Sequence, residues 1–244
     1  MTSSTAVRDL LDLLLPRGCL ACGERIPPEE GVSLVCPPCQ ARLKAPPPPF
    51  CPRCQAPRGT GHAPGEICLE CQDWPRILVS ARAAVVLDSV SGAMIHALKY
   101  RGGGNMAEVM GEKMAKNGAP GLASPLVVPV PTTRWRRRTR GYNQAAALAE
   151  ALSRSWDLPM AEVLSRRAGR TQVRLTPRER AANVRRAFDI SPAGRSRIRG
   201  RDVILVDDVL TTGATARAVV KALEEGGAAS VQLRTFARSL PFSS

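Results

Sequence analysis

All eight cysteines of this chain lie between Cys19 and Cys71, and they come as four CxxC pairs: Cys19/Cys22, Cys36/Cys39, Cys51/Cys54 and Cys68/Cys71. Thirteen residues separate the two pairs of each set, and the second set repeats the first 32 positions later. One CxxC turn presents two thiolates, and two such turns complete a tetrahedral zinc site. Disulfides would suit a secreted chain. The leucine-rich start DLLDLLLP, however, is cut by Asp12 and closed by Pro16, and it reads as a short amphipathic helix over 5–15 rather than a signal peptide. The spacing therefore predicts two structural zinc ions with every ligand supplied by protein. Sequential and interleaved pairing both remain open. Zinc also replaces what this stretch lacks, because it is rich in Pro and Gly and poor in large apolar side chains. The run APPPPF over 45–50 reads as a stiff spacer between two ribbons, and Trp74-Pro75 marks a boundary. The expected domains are 1–74, a short helix plus double zinc ribbon, and 75–244.

From Ile77 onward the pattern is that of an α/β domain. Residues 77–87 read as one or two strands, 126–131 as a buried strand, 160–164 as a shorter one and 230–236 as a last one. Helical spacing covers 91–100, 105–115 and 143–155, and Thr176-Pro177 opens another helix. The expected fold is a parallel sheet flanked by helices. With 44% apolar but only 4% aromatic residues, its core must be built from Ala, Val and Leu. No run approaches the roughly 18 apolar residues of a membrane span, so a cytoplasmic protein is expected.

The stretch VILVDDVLTTGAT, 203–215, carries the chemistry. Val203 to Val206 read as a buried parallel strand and a helix follows from Thr215, leaving 207–214 as the strand-to-helix loop where α/β proteins place ligands. The backbone amides of Thr211, Thr212, Gly213 and Ala214, with the threonine hydroxyls and that of Thr215, can enclose a phosphate at the helix N-terminus. Asp207 and Asp208 can accept hydrogen bonds from two vicinal hydroxyls. Phosphate plus diol means a ribose 5-phosphate. Two other readings fail: a receiver-domain acidic pocket needs more chain than the 36 residues after Asp208, and no GxxxxGK[ST] phosphate loop is present.

The formal charge of +14 is concentrated. Between Arg134 and Arg201 there are eighteen Arg and only five acids. Two four-thiolate zinc sites would bring the whole chain to about +10, still basic. Such a surface suits a polyanion, either nucleic acid or a phosphorylated small molecule.

VILVDDVLTTGAT resembles the phosphoribosyl pyrophosphate (PRPP) motif of type I phosphoribosyltransferases. Together with the double ribbon, ALKYRG (97–102), VVPVPTTRWRRRTRGYNQ (127–144) and RAGRTQVRLTPRERAANVRRAF (167–188), the chain resembles the ComF family over nearly its whole length. Tyr142 stands where Phe is more usual. The resemblance implies that Asp207 and Asp208 hold the ribose 2- and 3-hydroxyls, that 211–215 hold the 5-phosphate, and that Arg134 and Arg140 help the loop after VVPVP take pyrophosphate, with Mg2+ bridging. Arg167, Arg170, Thr171 and Gln172 lie on a polar stretch suited to closing over such a site. Lys99 and Arg101 are candidate outer phosphate ligands, and His96 reads as a packing residue.

No segment reads as a nucleobase pocket, so the acceptor is not legible. The resemblance further implies support of single-stranded DNA uptake in natural transformation of bacteria. A second reading is then a binding protein whose PRPP pocket is sensory or vestigial. In it Arg134 to Arg140, Trp135 and the ribbons contact single-stranded DNA. A third is a zinc-dependent adaptor for other uptake proteins.

Overall fold

A computed structural model describes residues 18–27, 33–59, 65–100, 104–119, 121–166 and 187–240. The expected helix over 5–15, the helix at Thr176-Pro177, Arg101 and the whole stretch 167–186 lie outside the described residues.

Six strands and seven helices are described. The strands are β1 (Leu78–Val86), β2 (Leu126–Pro129), β3 (Leu164–Arg166), β4 (Phe188–Ile190), β5 (Asp202–Leu210) and β6 (Ser230–Arg238). The helices are α1 (Pro37–Arg42), α2 (Ser89–Tyr100), α3 (Gly104–Ala115), α4 (Arg134–Arg140), α5 (Gln144–Trp156), α6 (Pro192–Ile198) and α7 (Ala214–Glu225). The main sheet is parallel throughout, in the order β1-β6-β5-β2. Along β5 the apolar side chains alternate between two cores. Val203 and Leu205 pack with α7, and Ile204 and Val206 pack with α2, α3 and α5. A parallel strand buried on both faces has to be apolar throughout, which is why this segment was recognisable.

Both edges of the sheet are covered, so neither presents a free ladder. The Ala81 N–H donates to Arg53 O at 2.7 Å, Ala83 N–H to Gln55 Oε1 at 2.6 Å and Val86 N–H to Lys44 O at 2.8 Å, so the cysteine-rich segment seals β1. On the β2 side, Val127 N–H donates to Pro159 O and Ala161 N–H to Val127 O. That clamp reduces the strand expected at 160–164 to a single bridge at Met160. The chain becomes a strand only at β3, antiparallel to β4.

Within 77–87, read as one or two strands, the single strand β1 forms over Leu78–Val86. The run RWRRRTR, which the sequence pattern assigns to no element, is the helix α4. Thr133 caps it by accepting from the Arg136 N–H at 3.2 Å, and Gly141 ends it at φ 82°. No residue of α4 is buried, so no apolar periodicity was available to announce it.

Candidate functional site

The paired carboxylates stand within β5, not in the loop after it. Asp207 pairs in register with Thr235, and Leu210 with Arg238, because β6 runs on past Phe236 and keeps the ladder going. The loop shrinks to Thr211, Thr212 and Gly213, with Ala214 opening α7. The result is stiffer than a loop. The ladder to β6 holds Asp207 and Val209 on either side of Asp208, and the Asp208 N–H donates to Asp207 Oδ1 at 2.9 Å. Lys99, at the end of α2, reaches Asp208 Oδ2 at 2.6 Å. Asp207 is half-buried, and burial followed by the adjacent Asp208 charge pushes its pKa up to about 7.

These acids open into a cavity of about 320 Å³ whose lining also carries four cations, Lys99, Arg136, Arg140 and Arg166. Arg140 and Arg166 are held by aromatic rings. Arg140 lies over the Tyr100 ring at 5.1 Å and donates to its hydroxyl at 3.1 Å. Gln144, with its amide oxygen turned inward, accepts from Arg140 Nε at 3.3 Å. Arg166 ends β3 with its guanidinium over Phe188 at 5.4 Å. Burial, and then the charge of Arg136, lowers its pKa while Asp207 opposes that shift. Asn143 Nδ2 donates to Val130 O at 3.1 Å, tying the start of α5 to the segment after β2. A smaller cavity of about 60 Å³ adjoins the first through Asp207 and is lined by Thr211, Thr212, Gly213, Ala214 and Thr215.

The structure thus gathers Asp207, Asp208, Arg140 and Thr215 around the larger cavity, and the 211–215 turn around the smaller. Arg134, the first residue of α4, is exposed and lines neither. Arg136 takes that place. On a helix, positions 136 and 140 share a face and 134 does not, a distinction that exists only once this run is helical. Arg167, Arg170, Thr171 and Gln172 fall outside the described residues. Arg166, immediately before them, was not singled out by the sequence. His96 is exposed and packs on the Tyr100 ring at 4.8 Å rather than in a core.

The cysteines form two clusters, Cys19/Cys22/Cys36/Cys39 and Cys51/Cys54/Cys68/Cys71, with the thiols of each within 4.8 Å of one another. The pairing is therefore sequential. Two thiolates on one zinc ion, each about 2.3 Å from it, stand about 3.8 Å apart at the tetrahedral angle. The observed Sγ···Sγ separations of 3.7 Å (Cys22–Cys36), 3.6 Å (Cys51–Cys71) and 3.7 Å (Cys68–Cys71) suit that edge, Cys54–Cys68 is tighter at 3.3 Å, and all are far too long for disulfides. The Cys36 N–H donates to Cys19 Sγ and the Cys68 N–H to Cys51 Sγ, the same outer bond in both repeats. Burial opposes the Cys51 thiolate, but the amides of Cys68, Cys54 and Arg53 outweigh it and hold its pKa down to about 6. Arg238 is almost completely buried, yet its Nε and Nη1 have no hydrogen-bond partner among the described residues. Its charge acts on Cys54, and that of Arg82 on Cys51 and Cys54. A zinc tetrathiolate would carry a net charge of about −2, which the positive charge of these guanidiniums would offset.

Comparison with known proteins agrees with both halves. Residues 139–240 match the phosphoribosyl transferase domain model and residues 10–72 the double zinc ribbon domain model. The chain is 32% identical over 203 residues to DNA utilization protein YhgH of Escherichia coli K12, covering 78% of this chain and 85% of the relative. It is 28% identical to competence protein ComFC of Bacillus subtilis, covering 84% of each. It is also 35% identical over 115 residues to competence protein F of Haemophilus influenzae, covering 46% of this chain and 50% of that one. With a double ribbon of two structural zinc sites joined to a phosphoribosyltransferase fold, and with relatives of this length and identity, the chain belongs to the ComF family.

Proposed function

We propose that the chain binds PRPP with Mg2+ in the double cavity at the carboxyl end of β5, and that it serves the handling of incoming single-stranded DNA in the cytoplasm of a transformable bacterium. One observation carries the ligand reading: two strand-fixed carboxylates, a threonine-lined turn at a helix N-terminus and four cations converge on adjoining cavities. Asp207 and Asp208 accept from the ribose hydroxyls, the 211–215 turn takes the 5-phosphate, and Lys99, Arg136, Arg140 and Arg166 balance the pyrophosphate charge. Asp207 and Asp208 offer the hard oxygen donors that Mg2+ prefers, and bound Mg2+ would add Lewis-acid stabilisation of the leaving group. If transfer occurs, the C1–O bond breaks with its electron pair leaving on pyrophosphate, and an acceptor lone pair forms the new bond. The carboxylates then favour the developing positive charge on the sugar rather than attacking it. The DNA role rests on the relatives named for competence and DNA utilization.

The test is 31P NMR of PRPP and Mg2+ with zinc-replete protein and a mixture of nucleobases, alongside Asp207→Asn/Asp208→Asn. Base-dependent pyrophosphate release, absent in the double variant, is the expected result for a transferase. Broadened PRPP signals without turnover would mean a sensing pocket, and unaltered spectra would refute the ligand reading.

A second reading is favoured by α4 itself, which has no buried residue, carries five Arg in seven residues, and holds Trp135 with 71% of its surface in solvent. That is the make-up of a single-strand groove, with cations for backbone phosphates and an indole for base stacking. Salt-dependent binding of an oligodeoxythymidine that survives Asp207→Asn/Asp208→Asn but is lost in Arg137→Ala/Arg138→Ala would establish it. Binding indifferent to the arginines would remove it.

A further inference from the structure

The phosphate turn has a wall behind it, and that wall belongs to the second cysteine cluster. Gly213 sits at φ 73°, and a Cβ built on it would lie 2.8 Å from Cζ2 of Trp74, 3.3 Å from Cε2 and 3.5 Å from Nε1. The indole edge is thus pressed against the turn at Gly213, in the direction a Cβ would take, and Trp74 lines neither cavity. Trp74 is 5% exposed and packs in the same core as α7. Its backbone is fixed by the ribbon. The Trp74 N–H donates to Cys71 O at 3.1 Å. Arg53, between the ligands Cys51 and Cys54, donates from Nη1 to Cys71 O at 2.8 Å and from Nη2 to Pro75 O at 2.8 Å and Trp74 O at 3.3 Å. One side chain therefore ties the first knuckle of the cluster to the last and to the carbonyl of Trp74. The first cluster packs into the other core, across the sheet, and does not share this wall.

A turn that binds phosphate through backbone amides works only if those amides are already aimed, because any freedom they lose on binding is subtracted from affinity. Three residues, Thr211 to Gly213, connect β5 to α7. In the cavity the ligand completes their packing; at Gly213 the indole does. We propose that Trp74 is a positioning residue for the 5-phosphate turn, through which the second zinc site, but not the first, sets affinity for the phosphate end of the ligand. This rests on the ribose 5-phosphate reading of the site.

The experiment compares zinc-loaded wild type, Trp74→Phe and Trp74→Ala by hydrogen-deuterium exchange and by calorimetric titration with ribose 5-phosphate and, separately, with pyrophosphate. Phe keeps a buried ring but lacks the Cζ2 and Nε1 edge that touches Gly213. The expected result in Trp74→Phe is exchange at 210–216 accelerated about tenfold with 105–115 and 144–156 unchanged, and affinity for ribose 5-phosphate weakened about tenfold while pyrophosphate affinity is retained. Trp74→Ala should show the same effects more strongly, with two zinc ions still bound. Unchanged exchange at 210–216 in both variants overturns the proposal, as does an equal loss of affinity for both ligands. If wild type binds no ribose 5-phosphate, the functional reading fails, and the exchange data still decide whether Trp74 holds the turn.

Discussion

Asp207 shows how a strand position shapes the chemistry of one residue. Because β5 holds it half-buried beside Asp208, its carboxyl is raised from an ordinary value of 3.8 to about 7. A raised acid binds more protons folded than unfolded, so it stabilises the protonated fold and that contribution is lost as pH climbs from about 4 to 7. Relative to Asp207→Asn, the unfolding free energy of wild type should therefore fall by about 1–2 kcal/mol between pH 5.5 and 8.5, after discounting for partial solvent screening. Urea denaturation across that range checks the sign, and a parallel pH dependence in the two proteins would contradict it. Ribose hydroxyls donating into Asp207 would favour its ionised form, so Mg2+-dependent ligand affinity should rise over the same window in wild type and stay flatter in the variant. At Gly213, Ala must adopt φ 73° and meet the Trp74 ring, which should cost about 1–2 kcal/mol from the left-handed conformation alone and more from the contact.

Helices place these residues, and their packing explains how closely. Gly111 of α3 lies so near α5 that a Cβ there would be 2.4 Å from Ala151 Cβ. Gly111→Ala should push the two helices apart and destabilise the chain by about 1–3 kcal/mol. Ala151 is about two turns from Gln144, the end of α5 that faces the cavity, so ligand affinity at low temperature should stay within about twofold. Thermal unfolding and calorimetry of the same variant separate the two effects. The helix α4 behaves differently, because it has no buried face and depends on its caps. Thr133→Ala removes the acceptor for the Arg136 N–H and should weaken the helix by about 1 kcal/mol. Amide exchange over 134–140 should rise with little change in global stability, and Arg136 and Arg140 should lose their common orientation toward the cavity.

For the whole molecule, the two zinc sites carry unequal loads. In the second cluster Cys51, Cys54 and Cys71 are fully buried and join the core beneath α7; in the first, Cys22 is exposed. Wild type should therefore release zinc to a chromogenic chelator in two phases of one ion each. Cys36→Ser should abolish the fast phase, and a single phase of two ions would refute the inequality. Loss of the slow ion should carry a larger penalty. Without the tetrathiolate, buried Arg238 keeps, among the described residues, its contact with Glu70 at 2.7 Å, and the edge of β1 loses the segment that seals it.

The sequence by itself determined what is written in local spacing. Four CxxC turns imply zinc whatever surrounds them, an unbroken apolar run such as 203–206 implies a strand buried on both faces, and adjacent carboxylates before TTGAT mark the strand end and helix start around which the cavities form. Each signal is complete within a few residues. The tertiary structure alone decided what depends on partners far along the chain. The length of β5, and so the rigidity of Asp207 and Asp208, comes from β6. The shrinkage of the 160–164 strand comes from its clamp on Val127. The choice of Arg136 rather than Arg134 comes from a helix with no apolar periodicity to reveal it. The sequential pairing of the cysteines and the wall that Trp74 forms behind Gly213 are likewise long-range facts: residues 139 positions apart meet because a zinc-held ribbon packs on the face of the sheet that carries α7, and no periodicity within either segment encodes that meeting.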